Sequence, residues 1–388
     1  MEKDSTKSDN LSQLNDELTA WLTLIRDCRW SRRQKHELIR RFGTPQAIYQ
    51  APIESLYSGV SGRVKPGFAK FSVQNLMPKV AQDLSWIEAH GASLVTYGDS
   101  NYPVLLRQID DPPLALFVLG DASFLCEPQV AIVGSRRPTP IGAKVAQQIS
   151  QELSNLGIVI TSGMALGVDG LAHQGALDQD NPTIAVMGCG LDIVYPSRHK
   201  KMFEQIQSIG LLVSEYPLGV KPNKYTFPER NRIVSGLSIG TVIVEAAKKS
   251  GTLITARLAM EQNREVMVLP GSSLSHQYQG SHQLIKNGAA LITSTDEILF
   301  ILKDQLKRIN LKKEALDTGV DDSCKLTNFT ASTDEGSLMT LIGAESISVE
   351  TLILSSGLTP AEVSSMLLIL ELEGKVAMSD DGGYINIG

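Results

Sequence analysis

The chain has 388 residues, of which 42% are hydrophobic and 20% are charged, and its formal net charge at pH 7 is −6. This composition excludes a largely disordered chain and is sufficient for two or three domains with buried cores. The polar residues after Met1 lack the apolar segment of a signal peptide, and the apolar stretch Ile233–Val244 is too short to cross a membrane. We therefore predict a protein without a membrane partner.

The cysteines and histidines are spread along the chain without the spacing of a metal site. Cys28, Cys126, Cys189 and Cys324 form no Cys-x-x-Cys pair, and the six histidines show no ligand pattern. We expect reduced thiols, no metal and no cofactor, which predicts a cytoplasmic protein.

The first predicted structural element is a basic helical lobe. Residues 1–12 are predicted to be a flexible tail, and 13–82 carry apolar residues at helical spacing, beginning with Leu18, Trp21 and Leu22. Between Trp21 and Val80, eleven Lys or Arg oppose three acidic residues, a local balance of +8 (11 − 3). Such an excess favours a surface that attracts nucleic acid, although it also fits a lobe that only packs against the rest of the chain.

The segment 83–303 alternates short apolar strands with helical stretches. This alternation predicts an α/β domain with a Rossmann-like parallel sheet and helices on both of its faces. The predicted strands are Val130–Val133, Ile158–Thr161, Thr183–Met187, Leu211–Ser214, Thr241–Val244 and Glu265–Leu269.

The last part of the chain is predicted to be a linker over 304–335 and a winged-helix-like lobe over 336–388. In that lobe only Lys375 opposes seven acidic residues, a balance of −6 (1 − 7). Its second predicted helix, Thr359–Glu373, contains no Lys or Arg, so we expect no DNA binding by this lobe. The helix carries one apolar stripe and a further leucine, Leu368, off that stripe. The stripe comprises Val363, Met366, Leu367 and Leu370.

Five loops that follow predicted strands carry glycine, hydroxyl or basic residues. In an open parallel sheet, ligands bind at the carboxyl ends of the strands. Glycine lets the backbone approach a phosphate, a helix N-terminus offers unpaired N–H groups, and Arg adds a fork of donors. The residues predicted to contact phosphate or DNA are Gly134, Ser135, Arg136, Arg137, Ser162, Gly163, Gly188, Gly190, Lys200, Phe227, Arg230, Asn231, Arg232, Ser250, Gly251 and Thr252.

Each loop taken alone has a plainer interpretation. Gly134-Ser135-Arg136 is compatible with a tight turn, Asp169 with a helix cap, and His173 with a structural histidine. The run Gly188-Cys189-Gly190 lacks the third glycine of a dinucleotide fingerprint. The convergence of five such loops on one sheet edge nevertheless favours a ligand with several phosphates.

A basic track with interspersed aromatic residues extends beyond a single pocket. Such a track suits a single strand, because its bases are free to stack. The track comprises Arg136, Arg137, Arg198, Lys200, Lys201, Lys221, Lys224, Arg230 and Arg232, with Tyr195, Tyr216, Tyr225 and Phe227 among them.

In their order along the chain, these motifs resemble those of the DNA processing protein A family (DprA, also called Smf). The resemblance extends from Leu84 to about Leu302, and a sterile-alpha-motif-like lobe in front and a winged helix behind match the domain order of longer members. The matching motifs are Tyr102-Pro103, the turn Asp111-Pro112-Pro113, Gly134-Ser135-Arg136, Ser162-Gly163 through Asp169 and His173, Phe227-Pro228-Glu229-Arg230-Asn231-Arg232-Ile233, Ser250 through Thr255, Leu269-Pro270-Gly271 and Gly280 through Ile285.

The resemblance implies a homodimer that binds single-stranded DNA during natural transformation and has no catalytic activity. It also implies that the protein helps to load the recombinase RecA, displacing or working around single-strand-binding protein. A dimer contact is suggested at Leu284 and Ile285, although an ordinary core helix fits these residues equally well. His282 stands where many relatives carry Asn.

Two other functions remain open from the sequence. The first is a nucleotide-processing enzyme, because Glu245 followed by Ser250-Gly251-Thr252 resembles the loop of cytokinin-activating phosphoribohydrolases. Glu245 and Arg257 would be its catalytic pair, yet Lys249-Ser250-Gly251-Thr252 replaces the Pro-Gly-Gly-x-Gly-Thr of those enzymes. The second is an adaptor whose contact with DNA is incidental.

Overall fold

A computed structural model describes residues 16–57, 60–61, 73–317, 347, 351–352, 363, 367, 370–371, 376–378 and 384–386. The chain divides into two compact units, Met1–Glu314 and Ala315–Gly388. The tail predicted over 1–12 lies outside the described residues.

The first unit begins with a helical lobe whose helix starts are set by side-chain caps. Asp16 accepts a hydrogen bond from the backbone N–H of Thr19, and Ser31 forms a capping box with Gln34. Among the described residues of the lobe, the α-helices are α1 (Glu17–Arg26), α2 (Arg32–Phe42), α3 (Pro45–Gln50), α4 (Ile53–Tyr57) and α5 (Met77–His90).

The helical lobe and the sheet share a hydrophobic core. Leu22 of α1 and Val80 and Ile87 of α5 belong to the same buried cluster as Phe117 and Leu119 of the sheet. Helix α5 also runs across the boundary predicted at 82/83. The lobe is therefore part of one compact unit with the sheet.

The predicted parallel core is confirmed in a sheet of nine strands within the described part of the first unit. Strands β3 to β9 pair in parallel, whereas β1 pairs antiparallel with β2, and β2 antiparallel with β6. The strand order is β1-β2-β6-β5-β4-β3-β7-β8-β9. The strands are β1 (Ser93–Thr96), β2 (Ala115–Gly120), β3 (Gln129–Val133), β4 (Val159–Ser162), β5 (Thr183–Met187), β6 (Leu211–Ser214), β7 (Gly240–Ile243), β8 (Glu265–Val268) and β9 (Ala290–Leu291).

Helices cover both faces of the sheet because successive residues of the central strands are mostly apolar and point to opposite sides. In β3, Ala131 packs with Ile233 and Ala256 on one face, and Ile132 packs with Leu153 and Leu302 on the other. The helices are α6 (Val104–Arg107), α7 (Pro140–Asn155), α8 (Val168–Leu177), α9 (Lys200–Ile209), α10 (Thr226–Leu237), α11 (Thr252–Glu261), α12 (Gln279–Lys286) and α13 (Thr295–Asp317).

Helix α13 corrects the predicted start of the linker. It continues to Asp317, so the linker predicted over 304–335 does not begin at 304. Leu302 is fully buried and Leu306 packs against the same cluster, which holds this part of the helix on the sheet. Lys, Leu, Glu and Gln are good helix formers, and they extend the helix past its packed part.

The second unit contains a two-stranded antiparallel hairpin of β10 (Val376–Met378) and β11 (Tyr384–Asn386). The N–H of Tyr384 donates to the carbonyl oxygen of Ile347 over 2.9 Å. Val363, Leu367 and Leu370 are helical and buried, as the predicted stripe requires. Met366 and Leu368 lie outside the described residues.

Within the described ranges, no helix is both long and apolar enough to cross a membrane. In the same part of the chain, no group of three His, Cys, Asp or Glu side chains is arranged to hold a metal ion.

Candidate nucleic-acid interface

The candidate site lies where the strand order of the sheet reverses. From β3 the chain builds β4, β5 and β6 on one side and then crosses to β7 and β8 on the other. At such a switch point the loops after the two central strands diverge and leave a crevice between them. Here the crevice is a cleft of about 770 Å³ that contacts the loops after β3 and β7.

Ten of the sixteen predicted contact residues line this cleft, and two more line a smaller hollow beside it. The ten are Gly134, Ser135, Arg136, Gly163, Phe227, Arg230, Asn231, Ser250, Gly251 and Thr252. Arg137 and Gly188 line the adjoining hollow of about 220 Å³, which shares Arg136 and Phe227 with the cleft.

The two glycine-containing loops of the cleft, after β3 and after β7, are joined by a hydrogen bond. The hydroxyl of Thr252 donates to the carbonyl oxygen of Gly134 over 3.0 Å, and the hydroxyl of Ser250 accepts from the backbone N–H of Thr252 over 3.2 Å. A Cβ atom at Gly134 would lie within 3.0 Å of the Val168 side chain. The close approach of the backbone therefore depends on glycine at 134.

Arg136, Phe227 and Tyr195 form a cationic and aromatic wall on one side of the cleft. The Cζ atom of Arg136 lies 5.8 Å from the centroid of the Phe227 ring. The rings of Tyr195 and Phe227 are 5.4 Å apart between centroids, and Tyr195 is exposed. An exposed guanidinium beside two rings can bind a phosphate and stack a base.

Arg230 lies buried at the floor of the cleft. Its Nη1 donates to the carbonyl oxygen of Gly163 over 2.5 Å and to that of Val186. Burial lowers the pKa of Arg230, and the nearby Asp169 carboxylate opposes this shift. The pKa of Asp169 is raised by its own burial, and the charge of Arg230 opposes that shift. The guanidinium thus provides a positive floor that is held in place by backbone oxygens.

Four of the predicted contact residues do not line the cleft. Arg232 is the main correction: its guanidinium points away from the cleft and lies 2.6 Å from the carboxylate of Glu215. The Ser162 hydroxyl donates to the carbonyl oxygen of Ile132 inside the sheet. The N–H of Gly190 donates to the carbonyl oxygen of Val220, and Lys200 is exposed on α9 near Glu204.

Lys224, Lys249 and Tyr195 also line the cleft. Lys224 and Tyr195 belong to the predicted basic and aromatic track, whereas Lys249 was not singled out as a contact. In the part of the chain that the structure describes, neither lysine comes within 4.0 Å of a carboxylate. The sequence signal was present, because both lysines follow predicted strands in polar loops. The loop lengths did not reveal which of the basic residues would turn inward.

The residues proposed for an enzyme have structural partners instead. The Glu245 carboxylate is fully buried and accepts hydrogen bonds from the N–H of Thr139 over 3.0 Å and from the hydroxyl of Tyr278 over 2.8 Å. These contacts fix the start of α7. Arg257 lies on the exposed side of α11, 3.5 Å from Glu261. The structure thus gives no support to Glu245 and Arg257 as a catalytic pair.

His173 fits the expectation of a structural histidine. Its imidazole is fully buried, and Nδ1 lies 2.8 Å from the hydroxyl of Thr183. Burial lowers the pKa of His173 to about 3, so the ring is neutral at physiological pH.

Helix α12 packs as an element of the core. Leu284 is buried in the cluster that contains Val268, and Ile285 packs against the same cluster. The structure therefore favours the core-helix interpretation for Leu284 over a dimer contact. His282 places Nε2 3.0 Å from the carbonyl oxygen of Gly271.

Much of the positive charge in the helical lobe is paired within the chain. Lys35 is buried and donates to the carbonyl oxygen of Ile25 over 2.8 Å. The arginine pairs are Arg26 with Asp83, Arg29 with Asp27, Arg32 with Asp111 and Glu215, and Arg33 with Glu37. This pairing favours a packed lobe over a second DNA surface.

Two family models match separate parts of the chain. The model of DNA recombination-mediator protein A matches residues 93–303. The model of the DprA winged helix domain matches residues 326–382, which confirms the winged-helix prediction for the C-terminal lobe.

Individual relatives match over much of their own length. Protein Smf of Escherichia coli is 38% identical over 309 residues, which are 79% of this chain and 81% of the relative. The X-ray structure of DprA from Streptococcus pneumoniae has a TM-score of 0.61 at 34% identity and covers 71% of this chain and 95% of its own. DNA processing protein A from Helicobacter pylori, whose structure is described in terms of its single-stranded DNA binding mode, has a TM-score of 0.51 at 36% identity, over 55% of this chain and 96% of its own.

Proposed function

The chain belongs to the DNA recombination-mediator protein A family, and on that premise we propose that it binds single-stranded DNA in the cleft at the loops that follow β3 and β7. In this proposal the glycine-rich loops receive phosphates and the wall of Arg136, Phe227 and Tyr195 stacks a base. The charge of Arg230 at the floor adds attraction for the backbone.

The observation that carries the proposal is the cation–π pair of Arg136 and Phe227 beside the two joined loops. A phosphate site alone would suit a free nucleotide as well as a polymer. An aromatic ring at the rim, next to an exposed Tyr195, favours a strand whose unpaired base can lie against it. Lys224 and Lys249, which also line the cleft, supply positive charge for neighbouring phosphates.

We further propose that bound DNA is protected and presented for loading of RecA in natural transformation and recombination, with single-strand-binding protein as the competitor. This part rests on the family to which the chain belongs. We also propose a cytoplasmic homodimer, with its contact elsewhere than the buried side chain of Leu284.

A gel-shift series tests the proposal. An oligothymidylate and a duplex of the same length are titrated at about 50 and 200 mM salt, where phosphate contacts make binding strongly salt-dependent. We expect tight binding of the single strand, weaker binding of the duplex and a marked loss of affinity at the higher salt. Equal binding of both DNAs would contradict the proposal, and weak, salt-insensitive binding would favour an adaptor.

We propose that the protein has no catalytic activity. The alternative function, a nucleotide-processing enzyme, is tested separately. Glu245 accepts hydrogen bonds from Thr139 and Tyr278, and Arg257 is occupied by Glu261. Incubation with nucleoside monophosphates should release no ribose phosphate. Release that is lost in Glu245→Gln would establish the enzyme instead.

A further inference from the structure

Helix α10 presents its two faces to different parts of the molecule. Phe227, Arg230 and Asn231 line the cleft. Glu229, which lies between Phe227 and Arg230, and Arg232, which follows Asn231, instead form ion pairs within a cluster of Arg32, Glu215 and Asp111. Because continuous backbone hydrogen bonds make a helix move as one body, a shift of the lobe side of α10 also moves its cleft side.

Arg32 joins the helical lobe to this second face. It lies on α2, with its Nε 2.9 Å from a carboxylate oxygen of Glu215, its Nη1 on Asp111 and its Nη2 3.9 Å from Glu229. Arg232 of α10 shares two of these partners, at 2.6 Å from Glu215 and 3.6 Å from Asp111. Two arginines thus hold three carboxylates that come from three different segments.

The charge balance of this cluster depends on Arg32. With both arginines present the cluster has a net charge of −1 (2 − 3), and without Arg32 it would have −2 (1 − 3). Glu215 has a side chain only 10% exposed, so solvent screens little of the repulsion that would follow. The longest ion pair of Arg32 is the one with Glu229. The Glu229 side chain is half exposed, and its carboxylate also accepts a hydrogen bond from the hydroxyl of Tyr216 over 3.0 Å. Repulsion would therefore be relieved by movement of the first turn of α10, which carries Phe227.

We propose that Arg32 is a positioning residue for the cleft: it neutralises the carboxylates around the start of α10 and so sets the place of Phe227 and Arg230 without touching DNA. The helical lobe then controls the affinity of the cleft through one ion cluster. This inference rests on the proposed function of the cleft.

The test compares Arg32→Met with the matched control Arg33→Met, in the full-length protein with an oligothymidylate probe. Arg33 is the next residue of α2 and has an 83% exposed side chain, so its replacement removes the same charge without disturbing the cluster. We expect about tenfold weaker binding for Arg32→Met, an unchanged slope of affinity against salt, and wild-type affinity for Arg33→Met. The double variant Arg32→Met/Glu229→Gln should recover most of the affinity because it removes one repelling carboxylate.

The outcomes separate a positioning role from the other roles that Arg32 could have. A slope lowered by about 0.7 would make Arg32 a phosphate contact and overturn the inference. Unchanged affinity of a folded Arg32→Met protein, or a loss that Glu229→Gln fails to reduce, would overturn it as well. If Arg32→Met does not fold, Arg32→Lys, which keeps the charge and loses the fork, should bind with intermediate affinity, and wild-type binding would contradict the inference. Failure of the wild-type protein to bind the probe would instead contradict the proposed function.

Discussion

The guanidinium of Arg136 lies over the ring of Phe227, with 5.8 Å between Cζ and the ring centroid. Arg136 belongs to the loop after β3 and Phe227 to the first turn of α10, so the contact joins two separate βα units along one wall of the cleft. A cation over a ring is attracted to its face, which holds the long arginine side chain in one place before any ligand arrives.

Replacement of Arg136 tests the proposed contact between its side chain and a DNA phosphate. Arg136→Ala should weaken single-strand binding similarly for all sequences and lower the slope of log affinity against log salt by roughly 0.7, because one phosphate contact is lost. Titrations at four or more salt concentrations give the slope. Lys200→Ala is the control, because Lys200 is exposed outside the cleft. An unchanged slope would remove the loop after β3 from the site.

Replacement of Phe227 tests base stacking separately from charge. Phe227→Leu should weaken binding by about 1–3 kcal/mol with no change of the salt slope, since stacking releases no counterions. Combined with Arg136→Ala, the loss should be smaller than the sum of the two single losses because the side chains touch. Strict additivity would indicate that the two residues act on different parts of the strand.

Gly163→Ala should disturb the floor of the cleft. A Cβ atom there would lie 2.6 Å from both terminal nitrogens of the buried Arg230 guanidinium. We expect a loss of about 1–3 kcal/mol in the free energy of unfolding, as for other overpacked sites, together with weaker DNA binding. Gly251→Ala is the matched control for stability, because its added Cβ meets no atom within 4 Å. Urea unfolding that fails to distinguish the two variants would contradict the packing described for Arg230.

The buried Lys35 predicts a pH dependence of stability. Burial lowers its pKa from 10.5 to about 8, against the opposing effect of Asp27. Between those two values the unfolded chain binds more protons than the folded chain, so the free energy of unfolding should rise with pH across this window. The rise from this residue is about 3 kcal/mol over the full window.

Urea unfolding of Lys35→Met measures this effect. The variant should lack the rise that the wild-type protein shows between pH 8 and 10. Lys79→Met, a change of an exposed lysine on α5, should keep it. Parallel curves for Lys35→Met and the wild-type protein would show that Lys35 remains charged in the folded state.

The acidic C-terminal lobe is expected to make no contact with DNA. It has a charge balance of −6 over 336–388, and its helical residue Glu371 is exposed. We predict that a chain ending at Glu314, the end of the first compact unit, binds single strands as tightly as the full chain. A fragment of residues 315–388 should shift neither single-stranded nor duplex DNA at about 50 mM salt. Micromolar binding by that fragment would contradict this prediction.

The sequence predicted the parallel core and the cleft loops because both depend on local patterns. Thr183–Met187 and Leu211–Ser214 were predicted with the observed bounds, and the family resemblance is confirmed by the model that matches 93–303. The antiparallel strands β1 and β2 were missed, since their pairing depends on distant partners that no local pattern reveals. The prediction ended helix α13 at 303 because residues 304–317 are rich in polar and charged residues and lack a clear apolar periodicity.

The direction of individual arginines was the least predictable feature of the site. Arg230 and Arg232 stand two positions apart on α10, and both were predicted to contact DNA. Residues two positions apart on an α-helix are separated by about 200° around its axis, so Arg230 and Arg232 cannot share a face. One lines the cleft and the other joins Glu215. A helical projection of α10 would have separated them, whereas a count of basic residues in the motif could not.

Because the two faces of α10 contact different parts of the molecule, the number of residues in the helix is as constrained as their identity. Each residue advances an α-helix by about 100°, so one residue inserted after Phe227 would rotate Arg230 and Asn231 away from the cleft and bring acidic or lobe-facing positions into it. A substitution on α10 changes one contact, whereas a change of length misaligns both faces at once. Among related chains, insertions should therefore accumulate in the loops around α10, and the helix itself should keep its number of residues.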